Sequence, residues 1–167
     1  MKNKQIKIAG IVKNSIVDGP GIRYTIFGQG CSLKCEDCHN PQTHNPSGGE
    51  LMYITKIAEE IKKDPLLDGV TFTGGEPFAQ IEEFAELAKL IKTNSELNII
   101  CYTGYSFNEL YSNPKTHILL KIIDVLIDGR FEKNHKDYKL RFKGSKNQRF
   151  LDSKESIKCG KPIEITL

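Results

Sequence analysis

The chain has 167 residues, 38% of them hydrophobic, and a formal net charge of +3. That length allows one domain with its own core and no disulfide staples. No apolar run approaches the roughly 18 residues of a membrane span, and the basic start MKNKQIKIAGIV lacks the long apolar stretch and cleavage site of a signal peptide. The expectation is a cytoplasmic protein forming a single domain over residues 1–167.

In chain order, IRYTIFG (22–28) is β-branched and aromatic and predicts a strand that runs directly into a cysteine-rich loop. A polar passage rich in glycine and proline continues to Gly49. From Tyr53 to Lys63 the apolar residues fall at 54, 57, 58 and 61, the spacing of one helix face. GVTFTGGEP predicts a short buried strand ending in a glycine turn. A second helix over Gln80 to Thr93 places Ile81, Phe84, Ala85, Ala88 and Ile91 on one side. LNIICYTGY repeats the strand-then-turn pattern, and Ser106 three residues before Glu109 has the spacing of a capping box. IIDVLIDG is a further buried strand. Strands alternating with helices predict parallel βα units, open or partly closed, with chemistry at the strand C-terminal ends. The cysteine loop, TGGEP, YTGY and DGRF all fall at those ends, which points to one site.

Three of the five cysteines, Cys31, Cys35 and Cys38, lie within eight residues in GCSLKCEDCHNP. A short C-x3-C-x2-C loop lets three thiolates converge, and thiolates select soft centres such as zinc or an iron–sulfur cluster. Structural zinc wants four ligands. His39 is the nearest fourth candidate, but it adjoins Cys38 and would bend onto the same tetrahedral ion with difficulty. A [4Fe–4S] cluster normally takes four cysteines, so three would leave one iron open for chemistry. Spacing alone leaves a cluster, zinc and unliganded thiols as alternatives. Cys101 lies in an apolar strand and reads as core; Cys159 reads as an incidental thiol. His44, His117 and His135 show no partner pattern and read as surface residues.

Gly74 and Gly75 make a turn where a side chain would block a ligand from the backbone, and Glu76 can accept hydrogen bonds from an ammonium group. A plain βα turn is the alternative. Thr103 with Gly104, and Asp128 with Gly129, end later strands and could line the same cavity or serve as turn chemistry. No Ser/His/Asp or paired-carboxylate signature is present. From Arg130 to Arg149 there are eight Lys/Arg against two Asp/Glu, a local +6 that leaves −3 elsewhere. Such a segment could face phosphates, an acidic partner or only water.

The cysteine loop at the end of one strand, followed by GGEP at the end of the next, resembles the radical S-adenosylmethionine superfamily. VDGPGIRYTIFGQGC (17–31) resembles the entry strand of its glycyl-radical activating enzymes. CHNPQT, CYTGYSFNEL, DVLIDGRFE and RFKGSKNQR are similar to the activators of anaerobic ribonucleoside-triphosphate reductase, and together these matches run from Val17 to Arg149. The resemblance implies an α/β fold, a partial, open parallel βα barrel of the radical S-adenosylmethionine type.

It further implies that Cys31, Cys35 and Cys38 hold a [4Fe–4S] cluster, whose open iron is chelated by the amino and carboxylate groups of S-adenosylmethionine. Glu76 would then take the cofactor's ammonium. Asp37, Cys38, His39, Gly74, Gly75 and Thr103 are the further expected cofactor contacts. Asp37 stands where the family often has an aromatic residue, so the adenine contact would come from backbone or from His39. In this chemistry a low-potential electron donor drives reductive cleavage, and a 5′-deoxyadenosyl radical takes a hydrogen atom from a glycine of the partner reductase. The radical is carried by the cofactor, so no catalytic acid or base is expected, and neither nucleic acid nor membrane is a partner. Part of the basic segment would dock the reductase. Two rivals remain: a radical enzyme acting on a small molecule, and a zinc-stabilised nucleic-acid-binding module. The first leaves GSKNQR and VDGPG unexplained, and the second leaves GGEP unexplained.

Overall fold

The computed structural model describes residues 3–167. The chain begins with β1 (Gln5–Ser15), which pairs antiparallel with β2 (Arg23–Gly28). The cysteine loop follows, then β3 (Glu50–Tyr53) and α1 (Ile54–Lys63). Next come β4 (Gly69–Gly74), α2 (Ile81–Asn94) after a 3-10 turn, and β5 (Asn98–Tyr102). The remainder comprises α3 (Phe107–Tyr111), α4 (His117–Leu120), β6 (Val125–Asp128), β7 (Arg149–Asp152) and α5 (Ser153–Cys159). The strands form one open seven-stranded sheet in the order β3-β1-β2-β4-β5-β6-β7. Only the inner four, β2, β4, β5 and β6, are mutually parallel. Both edges are antiparallel, so the sheet is mixed rather than wholly parallel.

Each predicted strand and helix is present. Ile54, Ile57, Ala58 and Ile61 of α1 are all buried, as their spacing required. In α2, Phe84, Ala85, Ala88 and Ile91 are buried, with Leu87 beside them. Ser106 and Glu109 make a complete capping box at the start of α3. The edge strands β3 and β7, and β1 beside β3, were not predicted.

Alternate strand residues point to opposite faces. One face, through Tyr24, Ile26, Val70, Phe72, Ile99, Cys101 and Leu126, packs with the helices into one core. The other face carries buried Arg23, Thr25 and Thr71 and is crossed by residues 16–20. Thr71 Oγ1 donates to the Asp18 carbonyl (2.8 Å) and Arg23 NH1 to the Pro20 carbonyl (3.0 Å). Arg23 also reaches Thr71, Val70 and Asn98, and burial pushes its pKa down to about 10. VDGPGIR is therefore partly a structural lock on this face. Among the described residues no helix is long and apolar enough to cross a membrane.

Candidate functional site

The register Gly28↔Gly74 sets the ends of β2 and β4 at one level, and β5 and β6 end beside them. A cavity of about 370 Å³ opens there. It is lined by Cys31, Cys35, Cys38 and His39 from the first turn, Gly74, Gly75 and Glu76 from the second, Thr103 and Gly104 from the third, and Gly129 from the fourth. Chemistry at strand C-terminal ends is what a parallel α/β arrangement favours.

The cysteine loop closes on itself before it reaches the cavity. Gly30 N donates to Thr43 O (2.7 Å) and Cys31 N to His44 O (3.1 Å). The buried Gln29 amide then bonds the Gln42 and Asn45 carbonyls (3.1 and 2.7 Å). Between these ties the backbone turns through left-handed Lys34 and Asp37, at φ 50° and 55°. All three thiols are free and half-buried. Burial pushes the Cys31 thiol above its ordinary range, the Leu33 backbone opposes this, and the Glu76 charge adds to it. Among the described residues no three His, Cys, Asp or Glu side chains stand close enough to share one metal ion. A cluster differs from a single ion here, because each thiolate binds a different iron and the sulfurs need not meet at one point. The donor set, three cysteines facing one cavity, fits that larger soft centre.

Glu76 is 3% exposed. Its Oε1 accepts from Phe78 N (3.1 Å) and Thr103 Oγ1 (2.9 Å), and Oε2 accepts from Gly104 N (2.8 Å). A carboxylate offers about four acceptor sites, so one remains beside the cavity. Burial pushes its pKa up to about 7 despite these three bonds. A buried carboxylate with spare acceptor capacity is suited to a cation, whose charge would offset the desolvation. Gly74 and Gly75 have a reason the sequence did not reveal. A Cβ on Gly74 would fall 2.6 Å from Gly28 N, and one on Gly75 would fall 2.4 Å from the Gly30 carbonyl. The close neighbour is the backbone leading into the cysteine loop.

The remaining candidate residues have varied surroundings. Asp128 is 1% exposed and absent from the cavity wall. Its carboxylate is held by Arg149 (3.0 and 2.5 Å) and accepts from Phe107 N (2.8 Å), so it anchors β7 and α3. His44 is half-buried and borders the cavity rather than lying on the open surface. His39 is exposed, and its ring packs on Phe131 at 4.9 Å. Asp37 points away into an ion pair with Lys133 (3.0 Å), which also reaches Glu36 (3.2 Å). Cys101 is core and Cys159 ends α5, exposed.

The basic segment is more than a solvated tail. Phe131, Leu140, Phe142, Lys143, Gly144 and Gln148 form one wall of the cavity. Gln148 organises that wall, accepting from Gly144 N and Ser145 N and donating to the Gly129 carbonyl. Tyr102, also unpredicted, lines the cavity and donates to the Phe142 carbonyl (2.6 Å). The signal that could have found them is GSKNQR, whose glycine and amides suit a built loop better than a free tail.

Comparison with known proteins agrees with this geometry. Residues 17–151 match the family described as "4Fe-4S single cluster domain". The anaerobic ribonucleoside-triphosphate reductase-activating protein of Enterobacteria phage T4 is 36% identical over 84% of this chain and 90% of its own length. That of Vibrio cholerae is 34% identical over 80% and 89%. The pyruvate formate-lyase-activating enzyme of Clostridium pasteurianum is 36% identical over 71% of this chain but only 52% of its own. Together with the cysteine loop, the GGEP turn and the cavity at the strand ends, these matches over most of the chain place it in the 4Fe-4S single cluster domain family, among the glycyl-radical activating enzymes of the anaerobic ribonucleoside-triphosphate reductase type.

Proposed function

We propose that this protein, a single radical S-adenosylmethionine domain with an open parallel βα barrel at its centre, activates a cytoplasmic anaerobic ribonucleoside-triphosphate reductase. The carrying observation is that three free cysteines and a buried, incompletely satisfied Glu76 line one cavity. Cys31, Cys35 and Cys38 would hold the [4Fe–4S] cluster. With S-adenosylmethionine bound and a low-potential donor available, the cluster would supply the electron for reductive cleavage of the cofactor, whose 5′ carbon would take the hydrogen atom of a partner glycine and leave a glycyl radical.

The chain's own residues position and shield. Glu76 accepts the cofactor's ammonium on its spare Oε2 site, while Thr103 and the Gly104 amide hold that carboxylate in place. Gly74 and Gly75 let the turn lie against the cysteine loop, so ammonium acceptor and thiols keep a fixed spacing. Phe131, Leu140 and Phe142 restrict water, which protects a reactive intermediate. Coverage of the relatives favours the reductase over pyruvate formate-lyase as partner, since this chain spans 90% of one activator and 52% of the other.

The test mixes cluster-loaded protein, reductant, S-adenosylmethionine and the reductase, then records electron paramagnetic resonance. A glycyl radical doublet is expected. Its absence, with S-adenosylmethionine still cleaved, would reject the reductase as partner.

A further inference from the structure

Phe142 adopts a backbone conformation that phenylalanine rarely takes. Its φ is +62°, in the left-handed region where Cβ crowds the backbone and which asparagine or glycine enters more readily. The other non-glycine residues with positive φ among the described residues are Asn14, Lys34 and Asp37. Asparagine tolerates the region, and the other two turn the cysteine loop. Phe142 has neither excuse.

Its surroundings hold it there. Tyr102 donates its hydroxyl to the Phe142 carbonyl at 2.6 Å. Next along the chain, Lys143 Nζ bonds the Gln148 carbonyl (3.0 Å), and Gln148 Oε1 takes the amides of Gly144 and Ser145 (2.8 and 3.1 Å). Strain of this kind persists where neighbours over-determine it, and it gathers at ligand sites. Phe142 borders the cavity, and the Arg141 guanidinium carbon sits 5.0 Å from its ring centroid.

A purine wants a flat partner. Asp37 supplies none, and its carboxylate is spent on Lys133. His39 is exposed with its ring against Phe131. Glu76 and Phe142 lie on different walls, from the end of β4 and from the segment before β7, which suits a ligand with an amino-acid end and a purine end. We infer that Phe142 is the platform on which the adenine of S-adenosylmethionine stacks, presented by its left-handed backbone and fixed by Tyr102. This rests on the cavity being the S-adenosylmethionine site.

The test uses cluster-loaded protein, kept oxidised so that no cleavage occurs, and measures binding of S-adenosylmethionine and of methionine by calorimetry, with melting temperatures alongside. Phe142→Gly relieves the backbone and removes the ring; Phe142→Leu keeps apolar bulk without a π-face; Phe142→Tyr keeps the face. Base–aromatic stacking predicts about ten-fold weaker S-adenosylmethionine binding for the Gly and Leu variants. Methionine binding is expected to stay unchanged, and Phe142→Tyr to bind both as the wild type does. Wild-type affinity for S-adenosylmethionine in the Gly and Leu variants overturns the inference, as does equal loss for both ligands, which would mark a merely structural residue. Glu76→Ala separates the two claims. If it weakens S-adenosylmethionine while Phe142→Gly and Phe142→Leu do not, the site stands and the platform falls. If the wild type binds no S-adenosylmethionine, the underlying reading fails first.

Discussion

Glu76 combines three donors on its carboxylate with a pKa raised to about 7, because burial outweighs the hydrogen bonds. From pH 4.5 to about 7 the folded state holds this proton more tightly than the unfolded chain does. The carboxyl's favourable contribution is therefore complete below pH 4.5 and is lost as pH rises through about 7. Glu76→Gln has no such titration, and any fixed cost of the amide cancels between two pH values. Urea unfolding of the reduced, cluster-free protein at pH 4 and pH 8 should show the wild type losing roughly 3 kcal/mol relative to Glu76→Gln. A difference that stays constant with pH would mean that folding leaves the carboxyl's pKa at its ordinary value. Glu76 was legible in the sequence because GGEP follows a strand. Asp128 was not, since an acid at a strand end reads alike whether it faces a cavity or, as here, Arg149.

The cysteine loop is an element in its own right, tied at its base by Gly30–Thr43 and Cys31–His44 and carrying Cys31, Cys35 and Cys38 inward. Replacing any one of the three by serine should remove most iron and sulfide from reconstituted protein. Cys159→Ser and Cys101→Ala should retain them, because the first is exposed on α5 and the second lies in the core. Full iron in Cys35→Ser, or its loss in Cys159→Ser, would contradict that assignment. The inner strands and the two long helices were legible because each buries a periodic face. The outer antiparallel strands were not. In β1 the alternation covers only Ile6 and Ile8 before the register shifts near Gly10, and Val12 to Asn14 are exposed. In β7 only Leu151 is buried, so four residues carry almost no pattern.

At the scale of the whole molecule, the open sheet sets a basic wall beside its cavity, and the two sides of that wall differ. Phe142 and Lys143 face the cavity, while Lys139 and Lys146 are exposed. Composition showed the charge but not this division, which depends on how Gln148 and Tyr102 fold the segment back. If the outer side steers the reductase, Lys139→Glu/Lys146→Glu should activate it several-fold more slowly at low salt, with a difference that shrinks as the screening length falls from about 10 Å at 0.1 M to about 3 Å at 1 M. Cleavage of S-adenosylmethionine without partner should be unchanged. A parallel fall in cleavage would show that these lysines support the cavity, and no change in either would leave the outer face merely solvated. The central claim, that the cavity transfers a hydrogen atom from a partner glycine to the cofactor's 5′ carbon, is tested most directly by isotope. Reductase carrying α-deuterated glycine is activated once, and the released 5′-deoxyadenosine is weighed by mass spectrometry. Incorporation of one deuterium, in proportion to the glycyl radical formed, is expected; 5′-deoxyadenosine free of deuterium alongside a full glycyl radical signal would contradict it.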